Sequence, residues 1–111
     1  MKTIGLIGGM SWESSLEYYR IINETTKLKL GGLHSAQCLI YSVDFQEIEV
    51  LQHQNKWNEL TNIMVDSAEK LKNGSADFIV ICTNTMHKMA SDIEDRIHVP
   101  NIWIILGLLF N

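Results

Sequence analysis

Apolar and polar positions along the chain switch between two periods. Residues 2–8, "KTIGLIG", form an almost uncharged run that stops at Gly8-Gly9 and predict a buried strand. Residues 11–30 change to helical spacing, with Leu16, Tyr19, Ile22 and Thr26 near one face. Ser11 stands as the expected N-cap, Glu13 lies in the first turn, and Gly31-Gly32 end the run. Residues 36–45, "AQCLIYSVDF", predict a second strand. Residues 56–72 predict a helix with Trp57, Leu60, Ile63, Met64, Ala68 and Leu71 inward, closed by Asn73-Gly74. Residues 77–82, "DFIVIC", carry no charge after Asp77 and predict a third strand. A further helix with Met86, Met89, Ala90, Ile93 and Ile97 on one side follows, and then a fourth strand over 101–106 after Pro100.

Strands alternating with helices at this spacing imply βαβ units and a parallel sheet. Strands apolar on both faces agree, since such a sheet is covered on both sides. The expected fold is a flavodoxin-like, three-layer αβα sandwich with strand order 2-1-3-4. Ligands in such sheets bind beyond the carboxyl ends of the strands, at the switch between strands 1 and 3. Two segments fall there: "GGMS" at 8–11 and "CTNT" at 82–85.

Composition narrows the classes of partner. The 111 residues are 46% hydrophobic and 20% charged, which fits one soluble globular domain. A net charge of −4 with scattered Lys and Arg speaks against nucleic-acid or membrane partners. Cys38 and Cys82 sit in separate apolar runs, which reads as reduced thiols and a cytoplasmic protein. No secretory signal is legible at the start. Residues 102–110, "IWIILGLLF", are apolar but far short of the roughly 20 needed to span a bilayer. Such a run needs a partner surface, so the chain reads as an interrupted protein.

Several chemistries suit the two crevice segments. Each leads into a helix N-terminus, where free N–H groups and the dipole favour a carboxylate or phosphate. Gly8 and Gly9 allow close backbone approach, and Thr83, Asn84 and Thr85 add side-chain donors. Ordinary helix capping by Ser11 and by Asn84 or Thr85 would use the same residues. The dinucleotide and P-loop spacings are absent. A metal site is not expected, because Cys82 and His87 have no further ligands at a suitable spacing. For acid–base work, a thiol at a helix N-terminus is lowered toward neutrality, which favours Cys82. Thr83 needs strong assistance. Adjacent strand residues point to opposite faces, so one of the pair faces the crevice and the other a covering helix. Cys38 reads as a core residue.

Four blocks carry a resemblance: "MKTIGLIGGMSWESSLEYYRIIN", "LGGLHSAQ", "YSVDFQEIE" and "CTNTMHK". In this order and spacing they resemble the aspartate/glutamate racemase family, over about residues 1–100. The resemblance implies racemisation of an acidic amino acid with no cofactor, by two acid–base groups on opposite faces of the substrate Cα. In most of the family the first group is the Cys of a C-N-T-x-H motif. Here Thr83 holds that place, with Cys82 before it as the rival. The resemblance also implies that Met10, Gln52, Thr83, Asn84 and Thr85 line the substrate site. Gly8, Gly9, Ser11, Trp12 and His87 are expected to support it.

Two departures shape the expectation. After Pro100 the family's usual strand and aspartate-rich turn give way to "NIWIILGLLFN", and the second catalytic half is absent. Residues 1–111 are therefore expected to form an N-terminal racemase domain with an aberrant tail over 101–111. A homo-oligomer, with the apolar tail as its motive, is the expected assembly. The alternatives are an inactive remnant that binds a dicarboxylate or only oligomerises, and a flavin or nucleotide binder.

Overall fold

The structure, a computed structural model, describes residues 1–82. The expected helix over 86–97, the fourth strand and the apolar tail lie outside these residues. Three strands form a parallel sheet in the order β2-β1-β3, with β1 spanning Ile4–Gly8, β2 Cys38–Ser42 and β3 Phe78–Ile81. Ile4 of β1 aligns with Cys38 on one side and Phe78 on the other. This matches the first three positions of the expected order. The ladder is extended at one end by Asp77 N–H donating to the Thr3 carbonyl (2.8 Å) and at the other by Cys82 N–H donating to Ile7 (3.0 Å).

Helix α3, Trp57–Asn73, covers one face of the sheet with the side expected of it. Leu60, Met64, Ala68 and Leu71 are buried there against Ile7, Ile79 and Ile81. Its two buried hydroxyls are satisfied within the helix: Thr61 Oγ1 donates to the Trp57 carbonyl and Ser67 Oγ to that of Ile63, both at 2.8 Å. Gly5 belongs to the same packing, since a Cβ there would stand 2.9 Å from the Ala76 Cβ.

Between β2 and α3 the structure inserts a helix that the sequence pattern does not predict and that overlaps the expected strand over 36–45 only at Phe45. Strand β2 stops at Ser42, and α2 runs over Phe45–His53. Asp44 is its N-cap, with Oδ1 accepting from the Gln46 N–H at 3.2 Å. Apolar residues at 45, 48 and 51 then have helical spacing, and Ile48 enters the α3-side core.

The other face is covered by α1, Trp12–Leu30, and here only part of the expected side, Ile22, turns inward. Tyr18 and Ile22 are buried against Leu6, Val80 and Cys82, whereas Leu16 is 57% exposed and Tyr19 43%. The rotation is set at the helix start. Gly9 N–H donates to Ser15 Oγ (2.9 Å), and a Cβ on Gly8 would stand 2.7 Å from that oxygen. With Ser15 turned onto β1, the residues three and seven positions later face the sheet. Gly31 ends the helix at φ +74°, its N–H bonded to the Lys27 carbonyl at 2.7 Å.

Candidate functional site

The carboxyl ends of β1 and β3 lie side by side, so residues 8–12 and Cys82 meet at one edge of the sheet. The end of β2 joins them through Val43 N–H donating to the Gly8 carbonyl at 2.9 Å. Thr83, Asn84, Thr85 and His87 lie outside the described residues. Gly8, Gly9, Met10, Ser11, Trp12, Gln52 and Cys82 are described.

The two glycines serve the fold before any ligand. Gly9 has φ +90°, a conformation that favours glycine. A Cβ there would drive into the Val43 backbone and approach Ser42 Oγ at 2.7 Å. The close approach at Gly8-Gly9 is thus to the chain's own β2 and α1. Met10 drops into the α3-side core with Ile48, only 3% exposed. Ser11 occupies the N-cap position but not in the expected manner. It has φ +60°, its side chain makes no capping bond, and its hydroxyl donates to Glu13 Oε2 at 2.9 Å. Its carbonyl accepts from the N–H groups of Ser14 and Ser15 instead. Trp12 opens the helix 65% exposed. Gln52 is half-buried in the last turn of α2.

Cys82 is wholly buried in the α1-side cluster. Burial pushes its thiol up to about 12, with the Cys38 thiol adding to the rise. A helix N-terminus would act in the opposite direction, toward an active thiolate. Burial and the neighbouring Cys82 likewise raise Tyr18. Cys38 is half-buried, and burial raises its thiol as well. The described arrangement stores Cys82 as a neutral core residue.

A groove of about 500 Å³ opens beside the end of β2, between α2 and α3. Its lining includes Asp44, Glu47 and Asp66 together with Tyr41 and Ser42. Three carboxylates repel a dicarboxylate, so its chemistry is wrong for an acidic substrate. Among the described residues no group of three or more His, Cys, Asp or Glu is placed to hold a metal ion. None of their helices is long and apolar enough to cross a membrane.

One positioning residue was not singled out in the sequence. Ser15, whose hydroxyl accepts from Gly9, ties the β1 turn to α1. No spacing rule marks it, because the contact depends on the missing Cβ of Gly8.

Comparison with known proteins agrees with this arrangement of strand ends and helix starts. Residues 7–107 match the sequence profile of the Asp/Glu/Hydantoin racemase family. The fold superposes on a Yersinia pestis protein assigned as an Asp/Glu racemase, with TM-score 0.90 and 53% identity over 92% of this chain. It also superposes on an aspartate racemase homologue from Pyrococcus horikoshii OT3, with TM-score 0.85 and 32% identity over 95% of this chain. The chain spans less than half of each, 44% and 46% respectively. With the profile covering most of the chain and a solved relative sharing half its residues, the chain belongs to the Asp/Glu/hydantoin racemase family.

Proposed function

We propose that the chain supplies one catalytic face of a cofactor-independent racemase acting on an acidic amino acid, aspartate or glutamate. Family membership carries the reaction type: removal of the α-proton and its return from the opposite side. Such a reaction needs an acid–base group on each face and donors for the carboxylates. In this reading Thr83 is the proton-transfer group of the first face. Gln52, Asn84 and Thr85 bound the substrate together with the main chain at Met10, whose side chain lies in the α3-side core. Trp12 and His87 support them. Glycines 8 and 9 with Ser11 set the turn that carries Met10 and Trp12.

The observation that favours Thr83 over Cys82 is the burial of the cysteine. A thiol pushed up to about 12 inside the α1-side core is a poor base near neutral pH. The second face lies beyond residues 1–82, and the solved relatives are about twice as long. In this reading residues 1–111 form an N-terminal racemase domain that works in the cytoplasm as a homo-oligomer.

One group on one face can remove a proton and return a solvent deuteron to the same face. The purified chain, incubated in heavy water with L-aspartate or L-glutamate and no added cofactor, should exchange the α-hydrogen with little inversion. Loss of the α-proton NMR signal is the readout. If neither amino acid exchanges at high protein concentration, while a dicarboxylate still perturbs the protein's own spectrum, the chain binds without catalysing.

A further inference from the structure

Helix α1 is longer than the sheet it covers. Its 19 residues run about 28 Å, whereas the five residues of β1 span about 17 Å. The helix starts beyond the carboxyl end of β1, so its last turns overhang the opposite edge of the sheet. Three leucines ride on this overhang. Leu28 is 86% exposed and Leu30 54%, and Leu33, in the loop beyond, is fully exposed. A Cβ on Gly31 or Gly32 would meet nothing within 4 Å. The tip is nonetheless built rather than slack. His34 N–H donates to the Gly31 carbonyl at 3.2 Å, and Ala36 N–H donates to Asn23 Oδ1 at 2.9 Å, which brings the loop back onto α1.

Lysines scattered in the sequence gather at the same end. Lys2 and Lys29 stand with Leu30 at one groove, and Lys27 stands with Leu28 beside the two glycines. All three lysines are exposed, and none forms an ion pair among the described residues. Of the acids toward this end, Glu24 is held by Arg20 at 2.9 Å, and Asp77 Oδ2 accepts from the Thr3 N–H at 2.7 Å. Net charge and scattered cations speak against a membrane partner for the chain as a whole. The fold reverses this locally.

The shape of the tip narrows what can cover it. Leu28 and Leu30 are two residues apart, about 200° around the helix, so they project from opposite sides. A flat protein face covers one side of a helix at a time. A second copy would also bring the same lysines together, where like charges repel. A deformable anionic surface can close around the protruding tip and attract its cations.

We infer that the overhanging end of α1 docks on an anionic lipid surface. Leu28, Leu30 and Leu33 enter the boundary between headgroups and acyl chains, and Lys2, Lys27 and Lys29 meet the lipid phosphates. The lysine stems lie along the apolar tip while their ammoniums stay at headgroup level. Such a contact is peripheral and reversible. The crevice lies at the opposite edge of the sheet, so docking leaves it facing away from the lipid.

The inference is independent of the racemase reading and of any substrate. At low salt the purified 111-residue chain should sediment with vesicles of phosphatidylserine and phosphatidylcholine, and far less with phosphatidylcholine alone. Raising the salt should release it. Lys27→Glu and Lys29→Glu should each lower the partition coefficient about tenfold. Leu28→Gln and Leu33→Gln combined should abolish binding with circular dichroism unchanged, since both side chains are exposed. A wild-type chain that ignores anionic vesicles overturns the inference. So does binding that survives the paired leucine variant, which would place the contact elsewhere, such as the apolar run at 102–110. Equal binding to neutral vesicles, untouched by the lysine variants, refutes the charged patch. A chain that ignores the vesicles but binds soluble polyglutamate would assign the surface to an acidic polypeptide instead.

Discussion

The two faces of the sheet are covered by helices of similar length and opposite habit. α3 has one apolar side and buries it, with Leu60, Met64 and Ala68 all fully enclosed. α1 has two weaker sides and places only Tyr18 and Ile22 among its buried residues. The difference follows from what each helix must touch. α3 packs on Ile7, Ile79 and Ile81 and owes its position to apolar area. α1 is set by the Gly8-Gly9 turn, where Ser15 replaces a large side chain and a hydrogen bond fixes the rotation. One helix is held by its core, the other by its first turn.

Substitutions should separate these two modes of attachment. The largest loss is expected on the α3 face. Met64→Ala opens a cavity in a fully buried cluster and should cost about 2–5 kcal/mol in urea denaturation. Gly9→Ala attacks the α1 attachment instead. It forces a side chain onto φ +90° and into the Val43 backbone, and should cost about 1–3 kcal/mol. Removal of the α2 cap by Asp44→Ala should cost about 1 kcal/mol, because the Gln46 N–H loses its acceptor.

Cys82 adds a pH dependence that belongs to the α1 face. The thiol is pushed up to about 12 when folded, above its unfolded value of about 8.5. The unfolded chain therefore loses this proton first, and stability falls as pH rises from about 8.5 toward 12. The loss from this group begins at about 0.4 kcal/mol near pH 8.5. Cys82→Ala should flatten that part of the profile. In the native protein iodoacetamide should modify the half-buried Cys38 well before Cys82. Equal rates would show that the α1 face opens readily. The smallest effect should come from Leu16→Ala, which on a monomer should change stability by no more than about 0.5 kcal/mol. A larger cost would place Leu16 in a contact within the chain.

The same contrast explains what the sequence made legible. The α3 face was readable because Leu60, Met64, Ala68 and Leu71 are apolar at helical spacing, while the buried hydroxyls of Thr61 and Ser67 carry no such signal. The parallel sheet followed from strands alternating with helices, and the order of its first three strands from the flavodoxin-like pattern. β2 is less covered than a strand apolar on both faces implies, with Leu39 and Ile40 exposed. Two features were hidden. In α1 the apolar residues at 16 and 19 outweigh the serine at 15 in any pattern, although position 15 decides the rotation through a tertiary contact. In residues 36–45 the apolar run continues across Ser42–Phe45 and conceals a helix start. The Asp44…Glu47 spacing was its local signal. At the candidate site, the resemblance could name residues but not say which way Cys82 points. That depends on how α1 packs across β1 and β3.

Burial places Cys82 in the core, and the proposed racemase reading gives the proton transfer to Thr83. The direct test is α-proton exchange of aspartate in heavy water, comparing wild type with Thr83→Ala and Cys82→Ala at equal folded concentration. Cys82→Ala should retain exchange, and Thr83→Ala should abolish it. Exchange lost in Cys82→Ala but kept in Thr83→Ala would contradict this assignment and return the thiol to the catalytic role.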